Sequence, residues 1–139
     1  MAIGNKFIID TNILFSALYS PDSVAGKIID LALEKKIELF APEEVKAELT
    51  RNLKKKLGYS EKELDFTLKT LPVNWLNTNL YANFLEQAKK TISLKDVPIL
   101  AAHYLTKFPI ITDDQEFFTL NGVKTRSLRD VVKLFDQSI

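Results

Sequence analysis

Short apolar runs with strand character alternate with longer helical patterns along the whole chain, and this alternation constrains the fold most. The strand-like runs are Lys6 to Ile9, Glu38 to Ala41, Val73 to Leu76, Phe108 to Thr112 and Val123 to Arg126. Strands that alternate with helices pair in parallel, and the helices cover both faces of the sheet. We therefore predict a three-layer α/β fold with a central parallel sheet of four or five strands, in a single domain spanning residues 1–139.

The intervals between these runs carry helical periodicity with recognisable start and stop signals. The main predicted helices are Ile13 to Leu18, Val24 to Leu33, Pro42 to Leu57, Ser60 to Thr70, Thr78 to Thr91, Val97 to Thr106 and Leu128 to Phe135. Ser23 is placed to cap the second of them, and Gly58 to end the third. Ser60 and Glu63 have the spacing of a capping box.

The composition narrows the possible chemistry. The chain has 46% hydrophobic residues, enough for a core, and no cysteine, which excludes disulfides, thiolate metal sites and cysteine nucleophiles. With 19 basic and 18 acidic residues the net charge is +1, so any nucleic acid must bind a local basic patch. The N-terminus has no signal-peptide pattern, and no apolar run approaches the roughly 20 residues that span a bilayer. We expect a cytoplasmic protein without a membrane partner.

Four acidic residues, far apart in the sequence, are placed where this fold would bring them together. Asp10 and Asp114 follow the first and fourth strand-like runs, Asp96 precedes the helix that starts at Val97, and Glu48 lies on the helix after Pro42. In parallel sheets, ligands bind beyond the carboxyl ends of the strands. Carboxylates gathered there repel one another unless a cation neutralises them, and an all-oxygen cluster suits Mg²⁺ or Mn²⁺. The pattern indicates a metal-dependent enzyme, with phosphodiester hydrolysis as the reaction to test.

Each acid also has an ordinary structural interpretation. Asp10 fits the N-cap of the helix that follows it, and Asp96 fits a cap with proline in the first helical turn. Asp114 fits the cap of a short helix through Glu116 to Phe118, with Asp113 competing for that role. Glu48 fits a solvated side chain paired with a basic residue three positions later, at 51. A capping aspartate can also bind a metal, so the two interpretations are compatible.

Taken together, these residues resemble the PIN-domain ribonucleases. That family has an apolar strand ending in Asp-Thr-Asn, a glutamate on a later helix, an aspartate opening a helix of the form Asp-x-x-Ile/Leu-x-Ala, and a Thr-x-Asp after the next strand. The matching segments are Asp10-Thr11-Asn12, Glu48, Asp96 with Pro98-Ile99-Leu100-Ala101, and Thr112-Asp113-Asp114. The resemblance covers essentially the whole chain. In a similar subgroup of toxins a further aspartate is common near position 93 or 97, where this chain has Ser93 and Val97.

The resemblance implies a Mg²⁺- or Mn²⁺-dependent endoribonuclease that leaves 5′-phosphate and 3′-hydroxyl ends. Asp10, Glu48, Asp96 and Asp114 would be both catalytic residues and metal ligands. Asn12, Thr112 and Asp113 would stand behind them, the first two orienting the carboxylates. Many family members of this size are VapC-like toxins held inactive by an antitoxin. Two alternatives stay open. One is a housekeeping nuclease that processes RNA without an antitoxin, and the other is a catalytically silent PIN-like protein that serves as a binding module.

The chain lacks the characteristic residues of other α/β proteins that act on or bind phosphate groups. Haloacid-dehalogenase-like phosphatases need a second acid two residues after the first aspartate, where this chain has Asn12. Response-regulator receivers need an acidic pair at the end of the first strand and a late lysine, and neither is evident. The chain has only four glycines, widely separated, so it has no glycine-rich phosphate loop.

Basic residues give a weaker indication of how RNA would bind. Arg51, Lys54 and Lys55 form a run after Glu48, and Lys95 precedes Asp96. This run is typical of a solvated helix C-terminus that complements the helix dipole, and the alternative is a patch that binds RNA phosphates. The single histidine, His103, lies within an alanine-rich helix, where a structural role is favoured.

The segment Thr78 to Thr91 carries more apolar surface than one helix face requires. Its apolar residues are Leu80, Tyr81, Phe84, Leu85 and Ala88. An apolar excess of this kind often marks an interface, and a two-fold dimer would double each local basic patch. We therefore expect a homodimer that uses this helix, the alternative being that all five residues pack against the sheet in a monomer.

Overall fold

The computed structural model describes residues 4–136, and it has the predicted three-layer α/β architecture. Five parallel strands form the central sheet in the order β3-β2-β1-β4-β5. The strands are β1 (Lys6–Ile9), β2 (Glu38–Pro42), β3 (Val73–Leu76), β4 (Ile110–Ile111) and β5 (Thr125–Arg126). Residues 1–3 and 137–139, which the predicted domain includes, lie outside the described residues.

Helices flank the sheet and follow the predicted order. They are α1 (Thr11–Tyr19), α2 (Val24–Leu33), α3 (Glu43–Leu57), α4 (Glu61–Thr70), α5 (Thr78–Tyr81), α6 (Leu85–Lys89), α7 (Val97–Thr106), α8 (Gln115–Phe118) and α9 (Leu128–Phe135), with 3₁₀ turns at Ala82–Phe84 and Leu94–Asp96. Helix α7 packs against β1 and β2, with α5 and α6 beside it, while α1 contacts α2 and α3, and α2 contacts α9. No helix within residues 4–136 is long and apolar enough to cross a membrane.

The predicted helix boundaries rest on caps that the structure confirms. The Ser23 hydroxyl accepts a hydrogen bond from the Gly26 amide, and Ser60 and Glu63 form a reciprocal capping box. Gly58 ends α3 in the left-handed conformation at φ 68°, which glycine adopts without a Cβ penalty. These local signals fix where each helix begins and ends relative to the sheet.

The fourth strand is shorter than the predicted run from Phe108 to Thr112. Pro109 has no amide hydrogen to donate, and the amide of Phe108 donates to the Thr106 hydroxyl instead of to a neighbouring strand. Paired residues therefore begin at Ile110, although the Pro109 carbonyl already accepts the amide of Ile8. The amide of Thr112 still donates to the backbone of β5, which holds the chain extended up to the acidic segment that follows.

The prediction of one continuous helix over Thr78 to Thr91 is wrong. The helix leaves regular geometry at Tyr81, where φ is −115° and ψ is 7°, and a 3₁₀ turn separates α5 from α6. Tyr81 and Ala88 are fully buried, so they are not available as interface residues, whereas Leu80 is 56% exposed. The break lets the Tyr81 ring point into the protein, where its hydroxyl donates a hydrogen bond to Glu44.

His103 has a structural role. It is buried in α7, and its Nδ1–H donates to the carbonyl of Phe108 over 2.7 Å. Burial lowers the pKa of this imidazole, and the hydrogen bond to Phe108 opposes the shift. The contact ties the end of α7 to the segment that enters β4.

Candidate active site

The four acids predicted as metal ligands line one cleft at the carboxyl edge of the sheet. The cleft encloses about 440 Å³, including its open mouth, and its walls include Asp10, Glu48, Asp96 and Asp114. Asp10 follows β1, Asp114 follows β4, Glu48 lies on α3, and Asp96 precedes α7. Strands β1 and β4 are parallel neighbours, so their ends deliver two of the carboxylates to the same place.

Asp10 is 7% exposed and uses both carboxylate oxygens. Oδ1 accepts the amide of Ile13 over 3.1 Å, which makes Asp10 the N-cap of α1. Oδ2 accepts the hydroxyl of Thr112 over 2.8 Å. Burial raises the pKa of Asp10, the two hydrogen bonds oppose this, and the charges of Asp114 and Asp113 add to it.

Thr112 connects the ends of the two central strands through its hydroxyl. It is completely buried, donates to Asp10, and accepts the backbone amide of Asp114 over 3.0 Å. Asp114 in turn caps α8, with Oδ1 accepting the amide of Glu116 over 3.0 Å. The hydroxyl therefore fixes the carboxylate of Asp10 and the backbone of Asp114 relative to each other, as expected for a residue that orients a carboxylate.

Asp96 occupies the N-cap position of α7 with proline in the first turn, as predicted, but its side chain makes no capping hydrogen bond. Its backbone already has helical geometry at φ −102° and ψ 0°, because the 3₁₀ turn before it runs directly into the helix. The carboxylate is 8% exposed and accepts the Ser93 hydroxyl over 3.5 Å. Burial, followed by the charge of Asp114, raises the pKa of Asp96 to about 6, against a lowering effect of Lys95.

Glu116 belongs to the acidic cluster, although from the sequence it is predicted only as part of a short helix. One carboxylate oxygen from each of Asp96, Asp114 and Glu116 lies within 4.8 Å of the other two. The Ser93 hydroxyl donates to Glu116 over 2.8 Å and also reaches Asp96. The sequence contains a signal for this proximity. Glu116 lies two positions after Asp114, and the cap at Asp114 folds this short interval into a single turn.

Glu48 and Glu44 lie one helical turn apart on α3 and both line the cleft. The Thr11 hydroxyl donates to Glu48 over 3.3 Å, and Glu48 makes no ion pair with Arg51 in the part of the chain that the structure describes. Glu44, which no sequence motif marks, accepts hydrogen bonds from the hydroxyls of Tyr81 and Thr78. Burial and the bond to Glu44 raise the pKa of the Tyr81 hydroxyl, which keeps it a proton donor.

The two other residues expected behind the carboxylates lie in more open positions. Asn12 is exposed at the mouth of the cleft, and it makes no side-chain hydrogen bond to a carboxylate of residues 4–136. Asp113 is exposed and lines a neighbouring groove, from which its charge contributes to raising the pKa of Asp10.

The structure separates the basic residues proposed for RNA binding. Lys95 lines the cleft beside Asp96. Arg51, Lys54 and Lys55 lie exposed on the second half of α3, outside the lining of the cleft, and Lys54 pairs with Glu61 over 2.7 Å.

The donor set of the cleft fits a hard divalent cation. Its charged ligands are carboxylates, and the part of the chain that the structure describes contributes no sulfur atom or imidazole to the lining. Without a cation, burial and neighbouring charges raise the pKa of Asp96 and of Asp10, so these two carboxyls resist ionisation. A bound cation would reverse this tendency and hold the carboxylates in their charged form.

Comparison with known proteins identifies the family. The model of the PIN domain matches residues 8–135, and the chain belongs to this family. An uncharacterised protein of Methanocaldococcus jannaschii is 31% identical over 123 residues, covering 83% of this chain and 74% of the relative.

Solved structures show the same fold at lower sequence identity. A chain of a DNA-bound VapBC complex from Salmonella typhimurium has a TM-score of 0.71 at 16% identity and covers 88% of this chain and 98% of its own. A chain of VapBC2 from Rickettsia felis, bound to a promoter fragment, gives 0.63 at 20% identity with the same coverage. A toxin–antitoxin complex from Klebsiella pneumoniae gives 0.58 at 24% identity, covering 86% and 96%.

Proposed function

We propose that this protein is a Mg²⁺- or Mn²⁺-dependent endoribonuclease. The observation that carries the proposal is the state of Asp96, a buried carboxylate that makes no capping hydrogen bond and is grouped with Asp114 and Glu116 within 4.8 Å. A buried carboxylate beside like charges is unfavourable for folding alone, and such arrangements cluster at functional sites. Membership of the PIN domain family, whose members are generally nucleases, supports the same chemistry.

The residues of the cleft have separable roles in this proposal. Asp96, Asp114 and Glu116 would hold the cation, with Asp10 and Glu48 completing the site around it. The bound cation supplies activation of a water nucleophile and neutralisation of charge at the phosphate. Thr112 keeps Asp10 and the backbone of Asp114 in register, and Ser93 keeps Asp96 and Glu116 together.

We further propose that the protein is the toxin of a toxin–antitoxin pair and acts as a homodimer in the cytoplasm. The similarity of its fold to chains from VapBC complexes supports the antitoxin partner. The dimer would use the exposed Leu80 rather than Tyr81. Growth arrest on expression, relieved by co-expression of a small neighbouring gene, is the expected result. Growth without arrest would favour the housekeeping nuclease.

The test of catalysis is Asp10→Asn, assayed for cleavage of labelled RNA in Mn²⁺. Asparagine keeps the oxygen that caps α1 and loses only the acceptor of the Thr112 hydroxyl, so circular dichroism should show a folded protein while cleavage is lost. The matched control is Asp22→Asn in the exposed loop between α1 and α2, which should cleave normally. Cleavage at the wild-type rate by Asp10→Asn would contradict the site assignment, and no cleavage by the wild type in either metal would favour the silent binding module.

A further inference from the structure

Two surface grooves meet at Asp10 and Asp114. The first is the cleft between α1, α3 and α7 described above, and the second encloses about 720 Å³ and is lined by residues of α1, α2 and α9. Asp10, Asn12, Lys95 and Asp114 line both grooves. A polymer that places one of its phosphates at these shared residues therefore has two adjoining grooves available for its neighbouring segments.

The charge along this path is strongly unbalanced. Six carboxylates line the two grooves: Asp10, Glu44, Glu48, Asp96, Asp113 and Asp114. Among the residues described from 4 to 136, Lys95 is the one basic side chain that lines either groove. A divalent cation offsets only part of this negative charge, so a polyanion needs a further positive contact at this point.

Lys95 is free to make such a contact. It is exposed, it lies on the 3₁₀ turn next to Asp96, and it forms no ion pair with any residue of the described chain. Other lysines are engaged: Lys54 pairs with Glu61, and Lys56 lies over the ring of Phe15. The charge of Lys95 lowers the pKa of Asp96, so the ammonium group acts at the cluster without being fixed to one of its members.

We propose that Lys95 binds a backbone phosphate of RNA where the two grooves meet. The inference rests on the proposed RNA-cleaving function and adds to it the residue that draws a polyanion into an acidic site. A flexible ammonium group suits this role because it contacts a phosphate as a point charge without requiring a fixed geometry.

A competing role for Lys95 makes different predictions. If the lysine only adjusts the charge of the carboxylates, its removal changes metal binding and leaves the dependence of RNA binding on salt unaltered. If it binds phosphate, its removal weakens RNA binding and reduces the salt dependence, while Mn²⁺ binds the more negative site at least as tightly. The affinity for RNA and its salt dependence therefore separate the roles, and the Mn²⁺ affinity shows whether loss of RNA binding follows from loss of metal.

The experiment compares the wild type with Lys95→Ala, Lys95→Arg and the control Lys90→Ala. Lys90 is exposed at the end of α6 and lines neither groove. Binding of a fluorescent, unstructured RNA is followed by anisotropy at several KCl concentrations, with Ca²⁺ replacing Mn²⁺ and gels verifying intact RNA. Mn²⁺ affinity is measured by calorimetry without RNA, and cleavage is measured separately in Mn²⁺.

We expect Lys95→Ala to bind RNA roughly tenfold more weakly at low salt. Its slope of log affinity against log salt should be shallower by about 0.7, as for one lost contact with a single strand. Lys95→Arg should recover most of the binding, and Lys90→Ala should match the wild type. Unchanged affinity and slope in Lys95→Ala would overturn the inference, as would absence of RNA binding by the wild type. RNA binding that depends on Lys95 without any cleavage in Mn²⁺ would support the inference and reject the nuclease.

Discussion

Replacing Asp96 by asparagine should stabilise the metal-free protein at neutral pH. The pKa of Asp96 rises from 3.8 to about 6 on folding, mainly because the carboxyl is buried and faces Asp114. At pH 7 the folded protein must therefore carry an ionised group that is more costly than in the unfolded chain. At about 1.4 kcal/mol per pKa unit, the cost approaches 3 kcal/mol as an upper value. Asparagine has no charge and retains the shape of the side chain, so it removes this cost.

The sign of the pH dependence follows from the direction of the shift. Below about pH 4 the carboxyl is protonated in both states, and the wild type and Asp96→Asn should have similar stability. As the pH rises from about 4 to above 6, the wild type loses stability relative to the variant, and beyond this window the difference is constant. Mn²⁺ should reverse the order, because only the wild type keeps the full ligand set and gains stability from binding.

The assay is urea unfolding followed by circular dichroism in EDTA, at about pH 4.5, 6 and 7.5, and repeated with millimolar Mn²⁺. Asp22→Asn in the exposed loop after α1 is the control for loss of a carboxylate. If metal-free Asp96→Asn were less stable than the wild type at about pH 7.5, or if its gain were the same at about pH 4.5, the reasoning from burial and repulsion would be refuted.

Three further substitutions test other parts of the structure. Gly26→Ala should lower the free energy of unfolding by about 1–3 kcal/mol in urea, because a Cβ there would overlap the carbonyl of Pro21; equal or greater stability would contradict this close approach. Tyr81→Phe should cost about 1–3 kcal/mol in the same assay, because it removes the hydrogen bond to Glu44, and an unchanged midpoint would argue against that bond. Leu80→Glu should convert the proposed dimer to a monomer in light scattering, and a dimer that persists would place the interface elsewhere.

The sequence could predict those parts of the fold that depend on local signals. The strand-to-helix junction at Asp10, the cap at Ser23 and the stop at Gly58 are encoded within a few residues of each position. The parallel sheet follows from the alternation of strands and helices, since few topologies accommodate that order. An aspartate after each of two neighbouring parallel strands was therefore enough to place Asp10 and Asp114 on one cleft.

The rest of the site depends on contacts between distant segments, which periodicity does not reveal. The Ser93 hydroxyl reaches Glu116 across 23 positions, and Tyr81 reaches Glu44 across 37. The freedom of the Asp96 carboxylate depends on a 3₁₀ turn that joins the helix without a break, whereas Asp-x-Pro favours a cap on local grounds. Local rules placed Asp10, Glu48, Asp96 and Asp114 near the cleft but not Glu44, and tertiary contacts decide what each side chain does there.

The aspartates that follow β1 and β4 each combine a capping role with a proposed role at the metal site, and this has an evolutionary consequence. Asp10 and Asp114 cap α1 and α8, and asparagine performs that capping equally well. A single nucleotide change converts an aspartate codon to an asparagine codon, so one mutation can abolish the proposed activity while the folded domain survives. If the proposed nuclease is harmful to its host, inactive but folded copies are therefore expected to arise readily among the descendants of this gene.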